Sequence, residues 1–256
     1  MTNIGVFDSG LGGLWILKYL ERELPNYNFI YYADQAHLPY GNREPEEITE
    51  LSSKIVDFLL EKDCKLIVVA CNTATSASIT KLREKYPVPF VGIEPAIKPA
   101  SELSKTGHIG VLATKVTAEG QKLHDSIEKF ASDVEVHTVI GYGLVELVEE
   151  GKGDSDEAEE LLRKYLEPLL EKNLPTGQAG IDQLVLGCTH YAFLINRIKK
   201  IVGDKVNIID PAPAVVKRVK QLVEENNITP SNNKKEPEIF TSGSNVEKVK
   251  EFFNNL

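Results

Sequence analysis

The sequence predicts an α/β protein built from two similar domains, each with a mainly parallel sheet flanked by helices. Three observations predict it. Short Val/Ile-rich runs alternate with helical patterns from end to end of the 256 residues, as in parallel strands joined by helical crossovers. Ile4-Gly5-Val6-Phe7-Asp8-Ser9 is echoed by Ile109-Gly110-Val111-Leu112-Ala113-Thr114. Val68-Val69-Ala70-Cys71-Asn72-Thr73 is echoed by Val185-Leu186-Gly187-Cys188-Thr189-His190. Strands of this type recur by chance in α/β proteins, but two matches in the same order favour duplication. A period this long is a repeated domain, not a solenoid unit.

Taken in order, the β-prone runs are Ile4–Phe7, Phe29–Ala33, Leu66–Ala70, Phe90–Ile93, Ile109–Ala113, Val134–Ile140, Leu184–Gly187, Val206–Ile209 and Glu238–Thr241. Each is too short for a helix and is rich in β-branched or aromatic residues. Between them, Pro45–Lys62 places Ile48, Leu51, Ile55, Phe58 and Leu59 on one helical face. Asp156–Leu170 is a second helix, with acidic residues in its first turns where the dipole favours them. Glu94-Pro95 and Pro99 punctuate the passage between halves, and Asn226–Glu238 is a polar loop with two prolines. The last strand and helix are assigned to the first sheet. This gives residues 1–95 plus 208–256 as one domain and 96–207 as the other. The repeat offset is 105 residues at the first strands (4 to 109) and 117 at the cysteines (71 to 188). The second half therefore carries extra chain, and the Pro- and Gly-bearing stretch 172–180 is the natural place for part of it.

Composition excludes several classes. A chain that is 42% hydrophobic and 26% charged is neither disordered nor fibrous. No apolar run approaches the roughly 20 residues of a membrane span. The first strand follows Met1 so closely that no signal peptide is expected. Three cysteines without a C-x-x-C pair indicate a reducing cytosol, hence a cytoplasmic protein. A net charge of −9, without a basic patch, argues against nucleic acid as a partner. Lys234-Lys235 reads as a solvated turn.

Open parallel sheets bind ligands at the carboxyl ends of their strands. That singles out Asp8-Ser9-Gly10, Asp34 onward, Cys71-Asn72-Thr73, Glu94, Thr114 to Thr117, and Cys188-Thr189-His190. A thiol at a helix N-terminus is more readily ionised. Free cysteine is also a common small core residue; two at repeated strand ends favour chemistry. One thiol from each side of a cleft can take a proton from one face of a carbon and return it to the other, without a cofactor. Asp8 and His190 stand near enough in sequence to help. Cys64 lies before its strand and is structural. The glycines of Asp8-Ser9-Gly10-Leu11-Gly12-Gly13 free backbone N–H groups for a carboxylate or phosphate, although the loop lacks a P-loop lysine. No metal is expected, because Cys188 and His190 lack further ligands at zinc spacing. Pyridoxal phosphate would need a lysine at these strand ends, and there is none.

FDSGLGG (Phe7 to Gly13), PYG (Pro39 to Gly41), ACNTA (Ala70 to Ala74) and LGCTHY (Leu186 to Tyr191) together resemble the bacterial glutamate racemases of the aspartate/glutamate racemase superfamily. The resemblance covers nearly the whole chain. It implies two pseudo-twofold-related α/β domains with the active site in the cleft between them, and a cofactor-independent two-base mechanism. Carried over, Cys71 acts on D-glutamate with help from Asp8. Cys188 acts on L-glutamate with help from His190 and from Glu149, for which Glu150 is the alternative. Asp8, Ser9, Tyr40, Gly41, Asn72, Thr73, Thr117, Thr189 and His190 would line the substrate site. The resemblance further implies a homodimer, D-glutamate supply for peptidoglycan, and no activation by a cell-wall precursor, since no extension precedes the first strand. Ala192 stands where the family usually has proline, and Asp34-Gln35-Ala36 replaces a more usual run. An aspartate or hydantoin racemase, a superfamily decarboxylase using one cysteine, which the presence of both thiols disfavours, and a non-catalytic amino-acid-binding or regulatory protein are the rival readings.

Overall fold

The structure is a computed structural model and describes residues 2–170, 179–231 and 233–256. Most of the expected 172–180 loop lies outside the described residues. The chain forms two compact units, Met1–Ile93 with Ala212–Leu256, and Glu94–Pro211. Residues 208–211 fall in the second unit and not the first as expected, because Ile208 and Ile209 pair with Leu184 and Val185 of the second sheet. Glu94 and Pro95 also go with the second unit.

Among the described residues the first unit has five strands: β1 (Asn3–Asp8), β2 (Asn28–Ala33), β3 (Cys64–Val69), β4 (Phe90–Gly92) and β9 (Glu238–Thr241). They pair in parallel in the order β4-β3-β1-β2-β9. Helix α1 (Gly13–Glu23) buries Leu14, Leu17 and Leu20, a three-residue spacing that keeps one stripe on the sheet. Helix α2 (Pro45–Glu61) starts on a proline whose missing N–H costs nothing at that position. It buries Ile48, Leu51, Ile55, Val56 and Leu59. Helices α10 (Ala212–Glu225) and α11 (Val246–Asn254) complete the core with Val215, Val219, Leu222, Val249 and Phe253.

The second unit has β5 (His108–Ala113), β6 (Glu135–Ile140), β7 (Gln183–Gly187) and β8 (Asn207–Ile209) in the order β6-β5-β7-β8, all parallel. Ile97 and Ala100 of α4 (Ile97–Leu103) and Leu123 of α6 (Gln121–Phe130) pack against Ile109, Val111 and Val185. Helix α8 (Asp156–Leu166) is shorter than the expected Asp156–Leu170. A 3-10 turn, Glu167–Leu169, follows it, and Pro168 has no N–H with which to continue an α-helix. Among the described residues no helix is long and apolar enough to cross a membrane.

Read as β1 for β5, β2 for β6, β3 for β7 and β4 for β8, the two sheets have one strand order, with β9 an addition to the first. The registers agree as well. Phe7 pairs with Val69 and the matching Leu112 with Leu186, and a cysteine follows two residues later in each case. Of the twelve extra residues, two precede β6 and ten lie between β6 and β7, since Tyr32 answers to Val139 and Val69 to Leu186.

Two thiol-centred candidate sites

In the first unit, β1 ends on Asp8 itself, so that residue closes the strand instead of following it. Asp8 is fully buried, and its Oδ2 accepts from the N–H groups of Gly10 (3.1 Å) and Gly13 (3.0 Å). The glycine loop therefore spends two of its N–H groups on its own carboxylate, where the sequence suggested they were free for a ligand. Gly13 is required by close approach: a Cβ there would lie 2.6 Å from Asp8 Cβ and 2.9 Å from the Tyr31 hydroxyl. That hydroxyl donates to the Gly10 carbonyl at 2.7 Å and pins the loop.

Cys71, one strand over, caps α3 (Asn72–Lys85): its sulfur accepts from Ala74 N–H at 3.4 Å and lies 3.8 Å from Ser9 Oγ. An N–H donor at a helix start favours negative charge on the sulfur. Asn72 and Thr73 follow in the first turn, both buried. Asn72 Nδ2 reaches the Ile93 carbonyl at 3.5 Å, while its buried Oδ1 has no hydrogen-bond partner. A buried acceptor in that condition costs stability unless a donor arrives.

Tyr40 is buried in a short 3-10 turn, Tyr40–Asn42, that also holds Gly41. Its hydroxyl donates to Asp34 Oδ2 at 2.5 Å. Burial, then the Asp34 carboxylate, pushes that hydroxyl far above the usual phenol range, so it remains a donor. Asp34 also takes bonds at Oδ1 from Ser242 Oγ (2.6 Å) and His37 Nδ1 (2.8 Å). Sequence reading marked Asp34 as a ligand-edge residue but missed His37 and Ser242; Ser242 is 208 residues away in the chain, and only the β2–β9 pairing brings it near.

In the second unit, Cys188 follows β7, but what begins there is a 3-10 segment, Thr189–Leu194, that runs into α9 (Ile195–Val202). The expected α-helical cap is absent, and the Cys188 side chain makes no cap bond. Its partner is His190 Nδ1, at 3.7 Å. His190 Nε2 lies 2.7 Å from Glu149 Oε1, at the end of α7 (Leu144–Glu149). All three side chains are shielded, His190 at 2% and Glu149 at 10% exposure. An ionised carboxylate only accepts, so Nε2 carries a proton and Nδ1 faces the thiol. Of the two neighbouring carboxylates, Glu149 reaches His190, whereas Glu150 pairs with Lys152. Helix α7 starts from Gly143 at φ +81°, a backbone state that disfavours any side chain.

Thr114 follows β5, beside the β7 end that leads into Cys188, and its hydroxyl donates to Thr117 Oγ1 at 3.1 Å. Thr117, in the short α5 (Lys115–Ala118), and Thr189 are both buried. Tyr191, buried next to His190 in the chain, donates to the Gly141 carbonyl at 3.1 Å and anchors the 3-10 segment. Cys64 is the first residue of β3, not a residue before the strand, and so still lies at the amino edge, away from Cys71. Burial, then Asp63, pushes its thiol up to about 12.

The sequence-derived residues thus fall into two groups: Asp8, Ser9, Tyr40, Gly41, Cys71, Asn72 and Thr73 in the first unit, and Thr117, Glu149, Cys188, Thr189 and His190 in the second. The profile of the family described as Asp/Glu/hydantoin racemase matches residues 16–219. The glutamate racemase of Roseiflexus sp. is 46% identical over 223 residues, covering 87% of this chain and 79% of that protein. Among solved structures, the glutamate racemase isoform RacE1 of Bacillus anthracis superposes with a TM-score of 0.88 at 32% identity, covering 100% of this chain and 94% of that one. The glutamate racemase of Francisella tularensis, solved in complex with D-glutamate, gives a TM-score of 0.82 at 30% identity over 100% and 94% of the two chains.

Proposed function

Because the chain belongs to the Asp/Glu/hydantoin racemase family, we propose that it interconverts L- and D-glutamate with two thiols and no cofactor. The observation that carries this reading is the register-equivalent placement of Cys71 and Cys188, each with its own polar support. In one direction the Cys188 thiolate removes the α-proton of L-glutamate and Cys71 delivers a proton to the opposite face. In the other direction the roles exchange. Asp8 serves Cys71; His190, held by Glu149, serves Cys188. The α-proton is far less acidic than a thiol, so hydrogen bonds to the developing carbanion must carry part of the barrier.

Binding falls to Ser9, Asn72, Thr73, Thr117, Thr189 and the Tyr40-Gly41 turn. The unpartnered Asn72 Oδ1 suits the substrate ammonium group, and buried hydroxyls and helix-start N–H groups suit its carboxylates. Glutamate is preferred to aspartate or a hydantoin because the similar proteins at 46% and 32% identity are glutamate racemases. On the same reading the enzyme is a cytoplasmic homodimer that supplies D-glutamate for peptidoglycan.

The test is incubation of L-glutamate with the purified, reduced protein in D₂O, followed by chiral separation and mass spectrometry. D-glutamate carrying one α-deuterium is expected. Neither D-glutamate nor exchange, from folded protein, would refute the proposal.

A further inference from the structure

Away from both thiols, the second sheet gathers a set of metal-binding side chains. His108 opens β5, Glu135 opens β6, and His137 lies two residues further along β6. The parallel register sets His108 beside Glu135 and Gly110 beside His137. Strand alternation then turns all three side chains to one face at the amino-terminal edge of the sheet, the end opposite Cys188. His108 Nδ1 lies 3.1 Å from His137 Nε2 and 3.6 Å from Glu135 Oε2, and His137 Nε2 lies 3.8 Å from Glu135 Oε1. The two rings stack with centroids 5.4 Å apart and planes 21° apart.

These spacings match a coordination polyhedron. A tetrahedral ion with bonds of about 2.0–2.1 Å holds its donors about 3.3–3.4 Å apart. The nitrogen–nitrogen separation lies close to that edge, the nearest approach of each imidazole to the carboxylate is a little longer and goes to a different oxygen, and with one donor atom per residue all lie within 4.8 Å of one another. Two imidazoles and a carboxylate suit zinc and its transition-metal neighbours better than magnesium or calcium, which take oxygen donors. The rings are partly buried, at 24% and 27% exposure, while Glu135 is 66% exposed, with room to close on an ion. We propose that His108, Glu135 and His137 bind one zinc-class divalent ion, bridging β5 and β6 and leaving one position for water. Each ring keeps its proton on the nitrogen turned away from the ion. The sequence offered no sign of this site, because the donors come together only through strand pairing.

The test is titration of the folded protein, all cysteines present and reduced, with Co(II). One equivalent should give the visible bands of a tetrahedral nitrogen–oxygen site without thiolate-to-cobalt charge transfer. Zinc, but not magnesium, should raise Tm, because an ion that binds only the folded chain stabilises it. His137→Ala and the exposed Glu135→Gln should each weaken binding at least about tenfold with unchanged circular dichroism. Cobalt bands dominated by thiolate charge transfer, affinity unaltered in both variants, or no binding at about 1 mM Co(II) would each overturn the proposal.

Discussion

The three cysteines differ by what surrounds each sulfur, although sequence alone gives them one residue type. Cys71 receives a helix N–H, Cys188 faces an imidazole steadied by a carboxylate, and Cys64 sits in apolar packing beside Asp63. If Glu149 holds His190 in the proton-accepting tautomer, Glu149→Gln should lower kcat by about 10–100-fold. The α-deuterium isotope effect should then grow more for L-glutamate than for D-glutamate, since the Cys188 step becomes slower. Glu150→Gln should change the rate by less than about twofold, and steady-state kinetics on both enantiomers checks the pair. Cys64 makes a separate prediction about stability. Its folded-state value near 12 lies above the unfolded reference of about 8.5, so its contribution is complete below about pH 8.5 and is lost as pH rises toward 12. Cys64→Ala should cost about 1 kcal/mol at neutral pH and leave racemisation intact. Between about pH 9 and 11 the wild type should lose about 1.4 kcal/mol per pH unit relative to the variant, read by urea unfolding at each pH.

At the scale of elements, the places where sequence reading succeeded and failed have physical causes. All nine strands among the described residues were legible because each is a short β-branched or aromatic run between turn residues. The ends of elements were less so: Pro168 cuts α8 short, and the stretch after Cys188 winds as a 3-10 segment fixed by the Tyr191 hydroxyl on Gly141. No periodicity foretells a bond from a side chain to a distant carbonyl. The Asp34 cluster was hidden for a similar reason, since it joins β2, the Tyr40 turn and Ser242 after β9. Tyr40→Phe deletes the 2.5 Å donor to that buried carboxylate and should cost about 1–3 kcal/mol, measured by urea unfolding. Gly13 marks where the first strand, the loop and α1 crowd together. Gly13→Ala puts a methyl group into Asp8 and the Tyr31 hydroxyl, so about 1–3 kcal/mol of stability should be lost. Activity should fall with it, because the Gly13 N–H holds the Asp8 carboxylate.

At the scale of the whole molecule, duplication explains why a chain with two thiols at matching strand ends has solved their support twice and differently. The strand order and register are shared, so each copy presents a cysteine two residues past the same strand pair. The connections are not shared. The first copy places a helix N–H on the thiol and a glycine-held carboxylate at the neighbouring strand end, and the second pairs a histidine just past β7 with a glutamate from the longer β6–β7 connection. Each thiol is therefore supported from within its own unit, and damage to one should leave the other chemically competent. Cys188→Ala should abolish net racemisation, a loss of more than about 10³-fold given the usual worth of one acid–base group. It should still wash the α-proton of D-glutamate into D₂O, because Cys71 and Asp8 remain intact. Cys71→Ala should show the mirror result, exchanging only L-glutamate. Proton NMR of each enantiomer with each variant reads all four combinations, and exchange of both enantiomers by either variant would show that one thiol serves both faces.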